Sequence, residues 1–292
     1  MPNLKEFNKK LKVLKNTEKM ARTMKMISAS KLRRIHQAQL NAKFYTQQFK
    51  EIIANLSSVV DISLHPWLRP RALSGKILMV IFTSDRGLCG GFNNNLLRGV
   101  LAWTKEKKNS DEKIDLSLCG KRGYMFFKNL LPVTKYYEGI TEKPNYSQAG
   151  KIALDLAQGF ESGQYDEIFL AYNSFQGILL QRPCFEKILP IPLKELMTGI
   201  TGVRFTRDYI LEPSAEELLD LFLPKYLHVK IYHTLLENSI GEHAARMTAM
   251  DSASRNAEEL IDKYLLLRNR ARQAAITKEL IEIISGAEAL RN

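Results

Sequence analysis

LKEFNKKLKVLKNTEKMARTMKMISASKLRRIHQAQLNAKFYTQQFKEIIANL, from Leu4 to Leu56, contains neither glycine nor proline, so nothing in it obviously breaks a helix. Stepping through it by alternating threes and fours gives Leu4, Phe7, Leu11, Leu14, Glu18, Ala21, Lys25, Ser28, Leu32, Ile35, Gln39, Ala42, Thr46, Phe49, Ile53 and Leu56. An apolar stripe of that period, with polar interruptions, is the pattern of a coiled-coil strand rather than of a globular-core helix. At a rise of ~1.5 Å per residue such a helix is about 80 Å long. The same stretch is strongly basic. Residues 1–60 hold thirteen Lys and Arg against Glu6, Glu18 and Glu51. Pro66 and Pro70 then end the helical pattern.

Beyond Gly75 the character changes. KILMVIFTS (Lys76 to Ser84) is a short β-branched apolar run of the kind buried in a parallel sheet. A glycine turn follows, then a helical stretch from about Asn93 to Lys108. IDLSLCG reads as a second strand, Lys121 to Leu131 as a short helix, and Val133 to Tyr137 as a third strand. Asn145 to Gly159 reads as a helix and DEIFLAYNSF as a strand. ILLQRPCFEKILPI has the look of an edge strand, since it carries Pro183. Strands alternating with helices predict an α/β domain with a mostly parallel sheet over residues 75–205.

Helical signals return at Pro213. Ser214 and Glu217 have capping-box spacing, and Pro224 predicts a kink or a restart. From Lys225 to Leu290 there is no proline, and glycine occurs only at Gly241 and Gly286. A seam runs Leu236, Ile240, His243, Met247, Met250, Ser254, Ala257, Ile261, Tyr264, Arg268, Ala271 and Ala275. Its many small residues allow close approach of a second helix. Neither terminal helix can bury its stripe alone. The expected architecture is therefore an antiparallel two-helix coiled coil made by residues 1–60 and 213–292. The α/β domain packs at its base, and the last turns of the longer C-terminal helix protrude.

The composition excludes several classes. With 45% hydrophobic and 25% charged residues in 292, the chain has ample material for a core. No run approaches the ~18–20 uncharged apolar residues of a membrane span. The N-terminal MPNLKEFNKK lacks a signal core and does not resemble a transit peptide. Cys89, Cys119 and Cys184 form no ligand or redox motif, and His36, His65, His228, His233 and His243 have no metal-ligand grouping. Paired acids such as Glu216/Glu217 and Glu258/Glu259 read as solvated helix faces. No catalytic, cofactor or metal site is expected. SDRGLCGGFN, with Arg86, Gly87, Gly90 and Gly91, is the most enzyme-like stretch, a strand-to-helix glycine turn. It reads either as a phosphate cradle or as a structural turn at a contact surface, and it lacks both GK[ST] and GxGxxG spacing. The basic helix fits either nucleic acid or an acidic protein partner.

Motifs in both ends and the middle carry a resemblance. ITKELIEIISGAEA (Ile276 to Ala289), ENSIGEHAARMTAMDSASRNAEELI, RNRARQAA, NTEKMARTMKMISASKLRR and SDRGLCGGFN together resemble the gamma subunit of F-type ATP synthase, in the right order along the whole chain. The resemblance implies a non-catalytic central rotor stalk whose Rossmann-like α/β foot lies below a coiled coil. The coiled coil turns inside a ring of alpha and beta subunits, and the foot binds the epsilon subunit and the membrane-embedded c-ring. It implies rotor–stator contacts at Met24, Arg246, Arg272, Gln273 and Thr277, with Glu279 as the signature acid, and an acidic beta-subunit segment facing the basic helix. Taken without the family, Met24 reads as coiled-coil core and Arg246 as a solvated face. The resemblance also implies no cofactor, no nucleic acid, and membrane contact only through the complex. The absence of a transit peptide favours the bacterial form, peripheral on the cytoplasmic side of the membrane. Chloroplast members carry a regulatory cysteine pair in the middle domain. Here Phe175 to Arg207 contains only Cys184, so no such thiol switch is expected.

Overall fold

Helix, strand and turn positions come from a computed structural model that describes residues 4–56, 65–69, 75–108, 112–192 and 211–289. The expected segment ends at 60 and 205, and the stop at Pro70, lie outside these residues. The described elements are α1 (Leu4–Leu56), β1 (Lys76–Phe82), α2 (Phe92–Lys108), β2 (Lys113–Cys119), α3 (Lys121–Phe127), β3 (Val133–Tyr137), α4 (Tyr146–Glu161), β4 (Glu167–Gly177), β5 (Leu180–Leu189) and α5 (Ala215–Ala289). The chain divides into two compact units, one of Met1–Ser28 with Arg246–Asn292 and one of Ala29–Ala245.

The larger unit is built on a five-stranded sheet of order β3-β2-β1-β4-β5. β1 pairs in parallel with β2 and β4, β2 pairs in parallel with β3, and β5 runs antiparallel to β4 at the edge. Pro183 opposes Asn173 there, on an edge strand where a missing N–H costs least. β1 shows why the apolar run is continuous. Ile77, Met79 and Ile81 face the layer formed by α2 and α3, with Leu96, Leu97, Val100 and Phe127. Leu78, Val80 and Phe82 face the layer formed by α4 and α5, with Ile152, Leu156, Phe160, Leu219 and Leu223. Successive side chains point to opposite faces, and with both faces covered every position from Ile77 to Phe82 is apolar.

The last turns of α1 enter the second layer, where Ile53 and Leu56 are fully buried. Phe49 meets Phe222 edge-on at 5.8 Å between ring centres, and Ile35 and Ala42 cluster with Leu236 and Ile240. Residue numbers rise along α1 as they fall along α5, so the two helices are antiparallel. In the smaller unit the pairing has the same sense. Phe7 meets Tyr264 at 6.3 Å, and Lys25 Nζ lies 2.5 Å from Asp251 Oδ1. Phe7, Leu11, Ala21 and Ser28 are buried on α1, and Met250, Ser254, Ala257 and Ile261 on α5. The stripe read from sequence is the buried seam.

Two local expectations differ from the structure. The helix from Lys121 stops at Phe127 rather than Leu131, and Leu130 and Leu131 N–H both donate back to Phe127 O. The following Pro132 disfavours helical geometry before it. Conversely, α5 begins at Ala215 and runs through Pro224 without restarting. A mid-helix proline costs about 3 kcal/mol. Leu219, Leu223, Tyr226 and Leu227, all buried around it, hold the helix on both sides. At its start Ser214 Oγ accepts the Glu217 N–H at 3.2 Å, the first half of a capping box.

Gly120 joins β2 to α3 at φ 102°, and a Cβ there would collide with Thr83 O. Gly120→Ala therefore lowers stability by about 2 kcal/mol or more, whereas Gly139→Ala, at φ 68° with open space around it, costs about 1 kcal/mol. Parallel denaturant titrations of the two variants check the contrast. A second prediction concerns acid. Burial, then the neighbouring Lys230, pushes His233 down from 6.5 to about 4, with Lys43 and Lys50 adding to the effect and Glu186 opposing it. Its Nε2 is buried without a hydrogen-bond partner. The folded chain thus binds this proton less tightly than the unfolded chain. The contribution is constant above about pH 6.5 and falls by up to about 3 kcal/mol as pH drops through 6.5 towards 4. In thermal melts across that window, His233→Gln loses less stability than the parent.

Candidate functional site

Two places in the fold carry the residues singled out from sequence. The first is the turn SDRGLCGGFN in the larger unit. Thr83, just after β1, accepts the Gly123 N–H on Oγ1 at 2.9 Å. Ser84 N–H donates to Asn93 Oδ1 at 3.0 Å, Asn93 Nδ2 donates to Ser84 Oγ at 2.7 Å, and Ser84 Oγ donates to Arg86 O at 2.6 Å. This clasp joins the two ends of the turn. Asp85 accepts the Lys121 N–H at 2.9 Å and the Thr141 hydroxyl at 2.7 Å. Arg86 pairs with Glu142 at 2.7 Å on the exposed side. Gly90 sits at φ 57° and Leu88 at φ 64°. For leucine this is a strained geometry costing roughly 1–2 kcal/mol, and the side chain is 60% exposed.

That arrangement bears on the two readings of the turn. A phosphate cradle needs backbone N–H groups aimed at one point. Here Ser84 N–H is taken by Asn93, Phe92 N–H by Cys89 O, Arg122 N–H by Ser84 O, and Lys121 N–H by the Asp85 carboxylate. The geometry fits a structural turn presenting Leu88 outward, with Met125, Phe126 and Leu130 also exposed on the adjoining α3 segment. Burial, then Asp85, pushes the Cys119 thiol up, which is the opposite of an activated thiolate. Among the described residues no cluster of His, Cys, Asp or Glu could hold a metal ion, and no helix is long and apolar enough to cross a membrane.

The second place is the smaller unit. Met24 is half-buried on α1, between buried Ala21 and Ser28. Arg246 is only 6% exposed, which corrects the solvated face expected for it without the family. Arg272, Gln273, Thr277 and Glu279 are all exposed on α5. Helical spacing puts Arg272 and Glu279 on one face, with Gln273 and Thr277 on another. Thr277 Oγ1 donates to Gln273 O at 3.0 Å. Between them Ile276, Leu280, Ile283 and Ile284 form an exposed apolar stripe. Around the paired stretch, Arg22 reaches Glu258 at 2.6 Å and Glu18 at 2.8 Å. Hydrogen bonding from Lys25 holds the Asp251 carboxyl below its usual range, with Arg255 assisting. The six residues do not converge on one pocket. Two lie on the paired stretch and four on the exposed one.

A third group escaped sequence reading. Lys230, Glu237 and Glu186 are at least three-quarters buried as side chains. Lys230 and Glu237 lie seven residues apart, with Gly241 four further on, and that regular spacing was the available signal. Their partners lie on strands more than forty residues away in sequence, which periodicity within α5 does not reach.

A family model described as ATP synthase matches residues 3–290. The chain is 42% identical over 292 residues to the ATP synthase gamma chain of Trichlorobacter lovleyi and 41% identical over 291 residues to that of Geobacter metallireducens, each alignment covering all of both chains. Its fold matches a chain in the Euglena gracilis mitochondrial ATP synthase OSCP/F1/c-ring structure, with a TM-score of 0.65, 18% identity, and coverage of 98% of this chain and 94% of that one. A chain in the Tetrahymena thermophila mitochondrial ATP synthase central stalk/c-ring structure matches with a TM-score of 0.59 and 23% identity, over 80% of this chain and 99% of that one. Nothing in these matches supports a nucleic-acid-binding coiled coil. A family match over residues 3–290 and full-length identity of this order, with a five-stranded sheet and antiparallel pairing of α1 and α5 within each unit, place the chain in the ATP synthase gamma chain family.

Proposed function

We propose that the chain is the central rotor stalk of an F-type ATP synthase, a subunit without a catalytic site that couples ion flow through a c-ring to ATP synthesis or hydrolysis by rotation. Full-length similarity to gamma chains carries this reading. The labour divides among residues 1–60, the α/β segment 75–205, and residues 213–292. The two helical segments turn inside a ring of alpha and beta subunits, and the α/β segment meets the epsilon subunit and the c-ring. The assembly sits on the cytoplasmic side of a bacterial membrane and touches it only through the complex.

Rotor–stator contact is assigned to Met24, Arg246, Arg272, Gln273, Thr277 and Glu279, with the turn of Arg86, Gly87, Gly90 and Gly91 as a contact surface on the α/β segment. The exposed stripe from Ile276 to Ile284 supports this assignment. Aliphatic side chains make no angle-specific bonds, so a collar around them permits turning. One asymmetric helix pair cannot touch three equivalent catalytic subunits alike, so each passes through different states in sequence. Torque is mainly steric. Exposed ion pairs contribute only about 0.2–1 kcal/mol and are screened by salt, and Lys9, Lys12 and Lys19 are exposed.

Coexpression with alpha, beta and epsilon chains followed by native mass spectrometry tests the reading. One copy of this chain per three alpha–beta pairs is expected. A chain that stays outside the complex and binds DNA with a steep salt dependence overturns it. In the assembled complex, replacing Lys9, Lys12 and Lys19 together by Gln leaves most of the torque in single-molecule rotation, and loss of torque would sink the steric account. Deleting residues 278–292 weakens assembly or broadens the angular dwells more than it slows ATP hydrolysis.

A further inference from the structure

Within the larger unit, α5 packs on the α/β layers through apolar side chains such as Leu219, Leu223 and Leu227, and one ridge further along the helix carries contacts of a different kind. Lys230 Nζ lies 2.5 Å from Glu186 Oε1 on β5. The other oxygen of Glu186 accepts the Tyr172 hydroxyl at 3.1 Å. Glu237 Oε1 accepts the Phe175 N–H at 3.0 Å and the Ser174 hydroxyl at 2.9 Å, both on β4. At Gly241 an added Cβ would stand 3.0 Å from Phe92 Cε2 and 3.4 Å from Gln181 Cγ, so the Phe92 ring lies in a notch left by the missing side chain. Phe92 is itself held, its carbonyl accepting the Asn173 side-chain N–H at 3.0 Å. Intervals of seven and four residues keep positions 230, 237 and 241 on one face over about 16 Å. Leu236 and Ile240, which pack with Ile35 and Ala42 of α1, lie about 100° round the helix.

We propose that Lys230, Glu237 and Gly241 form a spline that resists rotation of α5 about its own axis relative to the sheet, so that a large share of the torque passes between the α/β layers and the helix through them. The proposal rests on the rotor reading given above and adds where the torque crosses. Twisting a helix in an apolar groove exchanges one set of non-directional contacts for another. Twisting this ridge must break charge-assisted hydrogen bonds that are short and directional, and it must drive Phe92 out of its notch into helix backbone. The three seats come from β5, β4 and the first residue of α2, so the load is spread over separate elements of one sheet unit. A glycine inside a helix is itself unfavourable; here the ring occupies the space that a side chain at 241 would take.

The experiment uses the complex reconstituted with the full chain, its ring fixed to a surface and a probe attached at Lys105→Cys on the exposed side of α2. The width of the angular fluctuations at each dwell reads the torsional stiffness. Lys230→Met with Glu186→Gln removes the charge pair and retains an acceptor for Tyr172. Glu237→Gln weakens the second seat, and Gly241→Ala crowds the third. The charge-pair double variant combined with Glu237→Gln is expected to lower stiffness by about half. Gly241→Ala is expected to lower it too, and Phe92→Leu in the same chain to restore it. Leu156→Ala, a buried change in α4 away from the ridge, is the stability control and should leave stiffness alone. Unchanged stiffness in the ridge variants, or equal softening by Leu156→Ala, overturns the spline. If the unmodified chain neither assembles nor rotates, the rotor reading falls and the spline falls with it.

Discussion

Mutual burial of the stripes on α1 and α5 is the contact on which the other elements rely. Neither helix has a partner within its own sequence, and long isolated helices are marginal in water. In the larger unit, Ile53 and Leu56 enter the same apolar layer as Leu219 and Leu223, and that layer also backs β1 and β4. The helix pairing and the sheet core therefore share side chains there. In the smaller unit the seam is thinner, with Ala21, Ser28, Ser254 and Ala257 among its buried residues. Small side chains let two backbones approach but bury little area, so close fit matters more than apolar mass.

Charge is placed in two different ways. On the surface of the smaller unit, Arg22, Lys25 and Arg255 meet Glu18, Glu258 and Asp251 in exposed or half-exposed pairs that tune register and contribute little energy. In the larger unit, Lys230 and Glu237 are buried and Glu186 is largely buried, and each carboxylate also takes a hydrogen bond from a neutral donor. Buried charges of this kind are costly unless every partner is present, which favours one arrangement over its near neighbours. Tyr172 feels the same cluster. Burial, then Glu186 and Glu237, pushes its hydroxyl far up, so it remains a donor at all ordinary pH values.

The outline of the fold was legible because long periodic signals are hard to misread. The stripe of α1, the seam of α5 and the unbroken apolar run of β1 each repeat one physical instruction many times. No restart occurs at Pro224, because its local cost is set against burial of Leu219 and Leu223 before it and of Tyr226 and Leu227 after it, which a proline rule does not count. For Arg246, charge alone suggests exposure, yet the residue is buried. In the glycine turn, the absence of a phosphate motif was visible, but the decisive fact was not. Periodicity could not reveal that Asn93 accepts the Ser84 N–H and Asp85 the Lys121 N–H. The spline stayed hidden because its two halves are written on strands and on a helix far apart in the chain.

Placing the two halves of a helix pair at opposite ends of the sequence has a cost during synthesis. At about 5–20 residues per second, α1 leaves the ribosome many seconds before Ala215 is made. Throughout that interval Phe7, Leu11, Ile35 and Ile53 face water with nothing to cover them. A newborn chain in that condition is prone to stick to others like it. The thirteen basic residues among the first sixty then act before any partner exists, keeping unfinished copies apart by mutual repulsion.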